Sequence, residues 1–275
     1  MSKRRTRARA TLATGADPAG LGEHVEPFVF ESRGAKGLYF SIHEVQSRMQ
    51  VDDSHGLDLE YTRTMMGFLL FVPDPRKIAM VGLGGGSLPK FCHRHLPQAQ
   101  ICVLEINPHV IALRDEFEVP PDDDRFRVLL ADGARFVRQP DLALDVLMVD
   151  GFDSHGMPEG LAAQRFFDDC HAALRPEGLL VVNLHMADKR YDLIVDRIRR
   201  SFDDAVLLVE ASDHSNSIAF GWRGRSFAGY KPGIARHPAG LEGPAARQLL
   251  KAFASVAGAL QQQTRWSGSA DARGA

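Results

Sequence analysis

The sequence predicts an α/β fold built on a Rossmann-like, doubly wound, mostly parallel seven-stranded sheet, with a small antiparallel β region ahead of it. Three observations carry that prediction. Between Lys77 and Arg223 six continuous apolar runs recur, each followed by a stretch suited to a helix or turn. A glycine-rich turn follows the first run, and acids close the second and fourth. Parallel strands covered on both faces read as unbroken apolar runs, and strand–helix alternation is how such a sheet is assembled.

Taken in order, residues 1–24 carry Lys3, Arg4, Arg5, Arg7 and Arg9 and then an Ala, Thr and Gly stretch without hydrophobic periodicity, which reads as a disordered basic tail. Residues 25–75 form a second unit. Segments 28–32, 38–45 and 48–52 are rich in β-branched and aromatic residues and are separated by the turn-forming 33–37 and a short polar break, so a small meander is expected. Apolar residues at helical spacing over 58–72 then stop at Pro73-Asp74-Pro75, which predicts a helix packing the meander onto the next domain.

Residues 76–225 hold the main sheet, with strands expected at 78–82, 101–105, 126–131, 145–150, 179–185 and 205–210. A last apolar segment, 217–222, is expected as an antiparallel edge strand. Residues 226–275 form a C-terminal extension: a Gly- and Pro-rich stretch, one helix from about Pro244 to Gln262 and a flexible tail.

A chain of 275 residues suffices for one large domain or a medium one with an attachment. The net charge of −2 supplies no electrostatic reason for a nucleic-acid or membrane partner. Cys92, Cys102 and Cys170 lie far apart and outside any C-x-x-C pattern, so neither a zinc site nor a disulfide framework is indicated. With no apolar run near the roughly 18 residues that cross a bilayer, and no secretory segment, a cytoplasmic location is expected.

The sharpest local signal is Gly82-Leu83-Gly84-Gly85-Gly86, between the first strand and the helix that follows. Glycines there let the backbone turn tightly against a ligand, while a helix N-terminus presents free N–H groups. About 20 residues on, Glu105 ends the next strand, where a carboxylate can accept from two ribose hydroxyls. The pair points to an adenosyl ligand, and the turn lacks the Lys-Ser/Thr ending of a P-loop. Asp132-Gly133 and Asp150 end the third and fourth strands on the same rim, and Asp153 follows in a loop whose two carboxylates suit a cationic substrate. His93 and His95 alternate on a helix and point to different sides, which argues against a shared metal ion, and no metal is expected. His155 and His185 fall near the rim.

These residues resemble the polyamine aminopropyltransferases, above all spermidine synthase, over about residues 28–223. The family's Gly-Gly-Gly-Asp-Gly-Gly turn falls on Gly82 onward without a gap, its ribose-binding Glu falls on Glu105, and its adenine-holding Gly-Asp-Gly-Ala turn is similar to Ala131-Asp132-Gly133-Ala134. Residues 144–150 resemble the strand ending in the family's catalytic base, so the resemblance implies that role for Asp150. Asp58-Leu59-Glu60-Tyr61 is similar to the segment whose Tyr assists the base, which places Tyr61 at the amine site. Asp153 corresponds to the family's second Asp, and the Pro that follows it there is Ser154 here.

The resemblance implies a fold of the class I S-adenosylmethionine-dependent methyltransferase kind, no prosthetic group, and decarboxylated S-adenosylmethionine as co-substrate. It also implies a small amine such as putrescine as acceptor, and a homodimer. Two departures keep other readings open. The Asp that anchors the donor's aminopropyl end falls on Gly85, and Thr62 and Arg63 replace residues of a region that attracts cations. An S-adenosylmethionine-dependent methyltransferase and a catalytically silent nucleoside-binding homologue are therefore the competing expectations.

Overall fold

The computed structural model describes residues 24–41, 44–152, 156–211, 214–228, 230 and 241–271. The expected basic tail, apart from its last residue, therefore lies outside the described residues, as do Asp153 and His155. Among those described, ten strands form two sheets, one of three strands and one of seven.

The small sheet is the meander β1 (Phe28–Ser32), β2 (Ala35–Ser41) and β3 (Glu44–Gln50), antiparallel throughout. Its first turn is shorter than expected. Arg33 and Gly34 both take positive φ, 52° and 73°, the two-residue turn whose twist matches a hairpin, so Ala35 already pairs with Ser32. The predicted second strand is correspondingly divided, and Glu44 onward belongs to β3.

The large sheet comprises β4 (Lys77–Val81), β5 (Gln100–Glu105), β6 (Phe126–Leu130), β7 (Leu144–Val149), β8 (Leu174–His185), β9 (Val206–Glu210) and β10 (Asn216–Trp222). Its order is β6-β5-β4-β7-β8-β10-β9. All neighbours are parallel except β10, which runs antiparallel to both β8 and β9. The antiparallel strand was expected at an edge. It lies inside the sheet, and every residue of it is buried, which an edge position would not provide.

Alternate residues of the strands feed two cores. Ile78, Met80, Val103, Met148, Val181 and Phe220 face one side with α2 (Ser87–His95), α3 (Pro108–Ala112) and α8 (Gly243–Asp271). Ala79, Val81, Leu104, Val149 and Val182 face the other with α4 (Gly133–Phe136), α5 (Glu159–Ala162), α6 (Gln164–Ala173) and α7 (Tyr191–Ser201). Helices on both faces are what a sheet of unbroken apolar strands requires.

The helix expected over 58–72 is instead α1 (Glu60–Met65) followed by a 3₁₀ turn, Met66–Leu70. The hydroxyls of Thr62 and Thr64 bond back to the carbonyls of Leu59 and Glu60, a competition that loosens a regular helix. It packs on the large sheet at β8 and β10 and also against α8, and Met65 shares a core with Leu38 and Met49 of the meander. The meander reaches this region through Asp58, which accepts from Gln50 Nε2 at 2.7 Å and pairs with Arg48 at 2.8 Å. At the other end, α8 outruns the expected stop at Gln262. Leu249, Val256 and Leu260 bury its inner face, and Gln263 Nε2 donates to the Val206 carbonyl at 3.0 Å.

Candidate active site

In an open parallel sheet, ligands bind outside the carboxyl ends of the strands where the winding reverses. Here the reversal falls at β4, whose neighbours are β5 and β7. A cavity of about 950 Å³ opens at that point, lined by the ends of β4, β5 and β7, by the meander and by α1. Its size is within the range of small-molecule sites.

The glycine turn forms one wall. Gly82, Gly84 and Gly86 all have positive φ, at 99°, 52° and 70°. At Gly82 a Cβ would sit 2.2 Å from the Asp150 carbonyl oxygen, so only glycine lets β4 turn this close to β7. Glu105 clips the turn to its neighbour: Oε2 accepts from Leu83 N–H at 2.9 Å and Oε1 from Asn107 N–H at 2.8 Å. Burial pushes this carboxyl above the usual carboxylate range, while the backbone donors of Asn107, Leu83 and Ile106 pull it back. With three backbone donors against about four lone-pair sites, the carboxylate retains accepting capacity for a cavity ligand.

Asp150, one residue beyond β7, is the second acid. Its Oδ2 accepts from the Tyr61 hydroxyl at 3.1 Å and its Oδ1 from Asn183 Nδ2 at 2.8 Å. Burial raises its carboxyl above the usual range, opposed by these two hydrogen bonds and by nearby His185. The Tyr61 phenol is pushed well up, first by burial and then by the Asp150 charge, so it stays a donor. Beyond Asn183 the contacts continue. Asn183 Oδ1 accepts from Asn216 Nδ2 at 2.8 Å, and Asn216 Oδ1 accepts from the Ser215 hydroxyl at 2.8 Å. The ring of His185 stacks on Phe152 at 4.1 Å and covers the same end of the cavity.

Asn183 and Asn216 escaped the sequence reading. The available signal was a polar residue inside an otherwise apolar strand, two residues before its rim end. Asn216 gave less, because its place depends on β10 running antiparallel: that direction carries the start of β10 to the rim where its parallel neighbours end.

Asp132 and Gly133 also line the cavity, Asp132 capping α4 by accepting from Ala134 N–H at 2.8 Å. Gly85 lies in the turn beside the meander. A Cβ there would come within 2.8 Å of both the Phe117 ring and Ser47 Oγ, and Phe117 is fully packed, so the position has no room for an aspartate. Arg63 does not oppose a cation in the cavity. It binds the Leu57 carbonyl and Glu60 at 2.8 Å each and is absent from the lining. His93 pairs with Asp123 at 3.3 Å, and His95 packs on Phe91, both away from the cavity. Cys92, Cys102 and Cys170 are free and buried. No described helix is long and apolar enough to cross a membrane.

A doubly wound sheet with a glycine turn, an acid clipping it and a second acid across the winding reversal defines the class: a Rossmann-like α/β protein with a ligand cavity at the carboxyl rim. Comparison with known proteins narrows this. Residues 58–194 match the spermine/spermidine synthase domain. The polyamine aminopropyltransferase of Chromobacterium violaceum is 38% identical over 196 residues, which span 71% of this chain and 75% of that protein. The chain belongs to the spermine/spermidine synthase family. A probable spermidine synthase from Corynebacterium glutamicum shares the fold, with a TM-score of 0.63 at 19% identity over 71% of this chain and 76% of the other. The eEF1A lysine and N-terminal methyltransferase of Bos taurus is 35% identical over 133 residues, covering 43% of this chain and 19% of that protein.

Proposed function

We propose that this protein transfers an aminopropyl group from decarboxylated S-adenosylmethionine to a small amine such as putrescine. The observation that carries the reading is Asp150, deep in a rim cavity, with Tyr61 on one oxygen and Asn183 on the other. Donor and acceptor fit opposite ends. Glu105 offers its remaining lone-pair capacity to the ribose, Asp132 and Gly133 line the cavity for the adenine, and Gly82 and Gly84 let the backbone approach the nucleoside, whereas Gly85 and Gly86 belong to the turn but not to the lining.

An aliphatic amine has a pKa of about 10 and is mostly protonated at neutral pH, so it becomes a nucleophile only after losing a proton. Asp150 is the group placed to take it, and the burial that raises its carboxyl narrows the gap to the amine. Tyr61 holds the carboxylate oriented while Phe152 and His185 wall the acceptor end. The new bond joins the acceptor nitrogen to the sulfur-bound carbon of the aminopropyl group. The carbon–sulfur bond breaks, sulfur leaves as a neutral thioether, and the proton moves to Asp150. Because the sulfonium is already a good leaving group, alignment of nitrogen, carbon and sulfur supplies much of the acceleration. Asp153 is proposed as a second contact for the acceptor's cationic end. A cytoplasmic homodimer completes the proposal.

Gly85 favours a second reading, methyl transfer from ordinary S-adenosylmethionine. The cavity acids among the described residues are Glu105, Asp132 and Asp150, and the packing of Phe117 and Ser47 leaves no space for one at Gly85 to hold a donor ammonium group. The similarity to a lysine and N-terminal methyltransferase points the same way. Mass spectrometry of products separates the two. With each donor offered alongside a panel of diamines, aminopropylated amine from the decarboxylated donor supports the proposal. Methylated products from the ordinary donor, with none from the decarboxylated one, overturn it.

A further inference from the structure

We infer that Asn183 and Asn216 form a directional amide relay that orients Asp150 and holds it ready as a proton acceptor, making both of them positioning residues for the transfer. The inference deepens the proposed function and rests on Asp150 being its base.

The direction of the relay follows from donor and acceptor counting. An ionised carboxylate accepts only, so the group that Asn183 turns toward Asp150 Oδ1 is its NH₂. That leaves Asn183 Oδ1 facing Asn216, which must present its own NH₂, and Asn216 Oδ1 in turn faces the Ser215 hydroxyl. Each hydrogen bond of the chain donates in the direction of Asp150. Hydrogen bonds aligned in one direction polarise one another, and their summed dipole favours the anion. The relay thereby opposes the desolvation of the carboxylate.

Sheet register holds the relay rigid. Asn216 pairs with His185 and Ile218 with Asn183, so the two asparagines are diagonal neighbours across β8 and β10. Asn183 is 1% exposed and Asn216 7%, which leaves neither amide free to exchange its partner for solvent. A buried amide pair inside an apolar sheet is costly unless each group is satisfied. Here both are, and the chain of contacts ends on the acid.

Among the described residues, the titratable groups sharing the cavity with Asp150 are Tyr61 on α1, His185 on β8, Glu105 on β5, Asp132 at the start of α4, His24, and His214 ahead of β10. Tyr61 and His185 act on Asp150 directly, and neither belongs to the relay.

Infrared difference spectroscopy of the full chain, taken against Asp150→Asn, reads the protonation of this carboxyl without donor or amine. The expected result is that Asn183→Leu moves the midpoint to higher pH by about one unit, as befits loss of a hydrogen bond to a charged acceptor. Asn216→Leu, one link removed, should move it the same way by less. The acid limb of kcat/KM should shift in parallel. Should Asn183→Leu fail to fold, Asn216→Leu still decides the matter. Unmoved midpoints in folded variants would overturn the relay. Moved midpoints in a protein that transfers no aminopropyl group would uphold the relay and overturn the assigned reaction.

Discussion

Glu105 and Asp150 close the two strands that flank β4, and burial holds both carboxyls above the usual range. Their partners differ in kind. Glu105 is satisfied by the backbone N–H groups of Leu83 and Asn107, whereas Asp150 is satisfied by the side chains of Tyr61 and Asn183. Backbone donors are supplied by the turn whatever residues it carries, so Glu105 is a fixed part of the fold. Side-chain donors must be brought from elsewhere, here from α1 and from β8, and each can be altered without rebuilding a turn. The first acid is a fastener that also faces the cavity. The second is the proposed base, and its surroundings set its strength.

The largest test of that contrast is Asp150→Asn. Loss of the base should lower kcat/KM for amine transfer by roughly 10³-fold, the middle of the range for general base catalysis, as checked by product mass spectrometry. The fold should persist, because the Tyr61 hydroxyl can rotate to accept from the new amide. The raised carboxyl also fixes the sign of the stability change. A folded-state pKa above the unfolded value gives a contribution present at low pH and lost as pH rises through it. The variant should therefore melt at or above the wild-type temperature at neutral and alkaline pH, with that advantage fading in acid.

Glu105→Gln should behave in the opposite manner. One oxygen facing a backbone N–H becomes an NH₂, two donors then oppose each other, and neither backbone group can turn away. A penalty of about 1–3 kcal/mol for an unsatisfied buried group implies roughly 10- to 100-fold weaker donor binding and a lower melting temperature, read by calorimetry and thermal denaturation. If Glu105→Gln proves harmless to the fold while Asp150→Asn unfolds the chain, the contrast is wrong. The smallest effect is expected from Tyr61→Phe, about 10-fold in kcat/KM. Its acid limb should move to higher pH, because the carboxylate loses a donor.

The same contrast explains what the sequence made legible. The glycine turn, Glu105, Asp132 and Asp150 stand at the ends of apolar runs, and local pattern locates strand ends. Tyr61 was legible through family resemblance alone, since its segment carries no spacing that joins it to Asp150 across 89 positions. Asn183 and Asn216 were not legible, because their meeting depends on the register between β8 and β10 and on β10 lying inside the sheet. Apolar content announced β10 as a strand but not which strands would flank it. Back-bonding threonines shortened α1 in a way that helical periodicity does not register. Arg63 stands in a segment where the resemblance implies attraction for cations, and pairing with Glu60, which sequence alone does not reveal, takes up its charge.

The central claim is that the rim cavity grips a decarboxylated sulfonium nucleoside through Glu105 and the glycine turn. Isothermal titration calorimetry of the full chain with decarboxylated and ordinary S-adenosylmethionine tests it most directly. Tighter binding of the decarboxylated donor, weakened in Glu105→Gln, is the result this account predicts. Clear preference for the ordinary donor, or no heat with either, would contradict it.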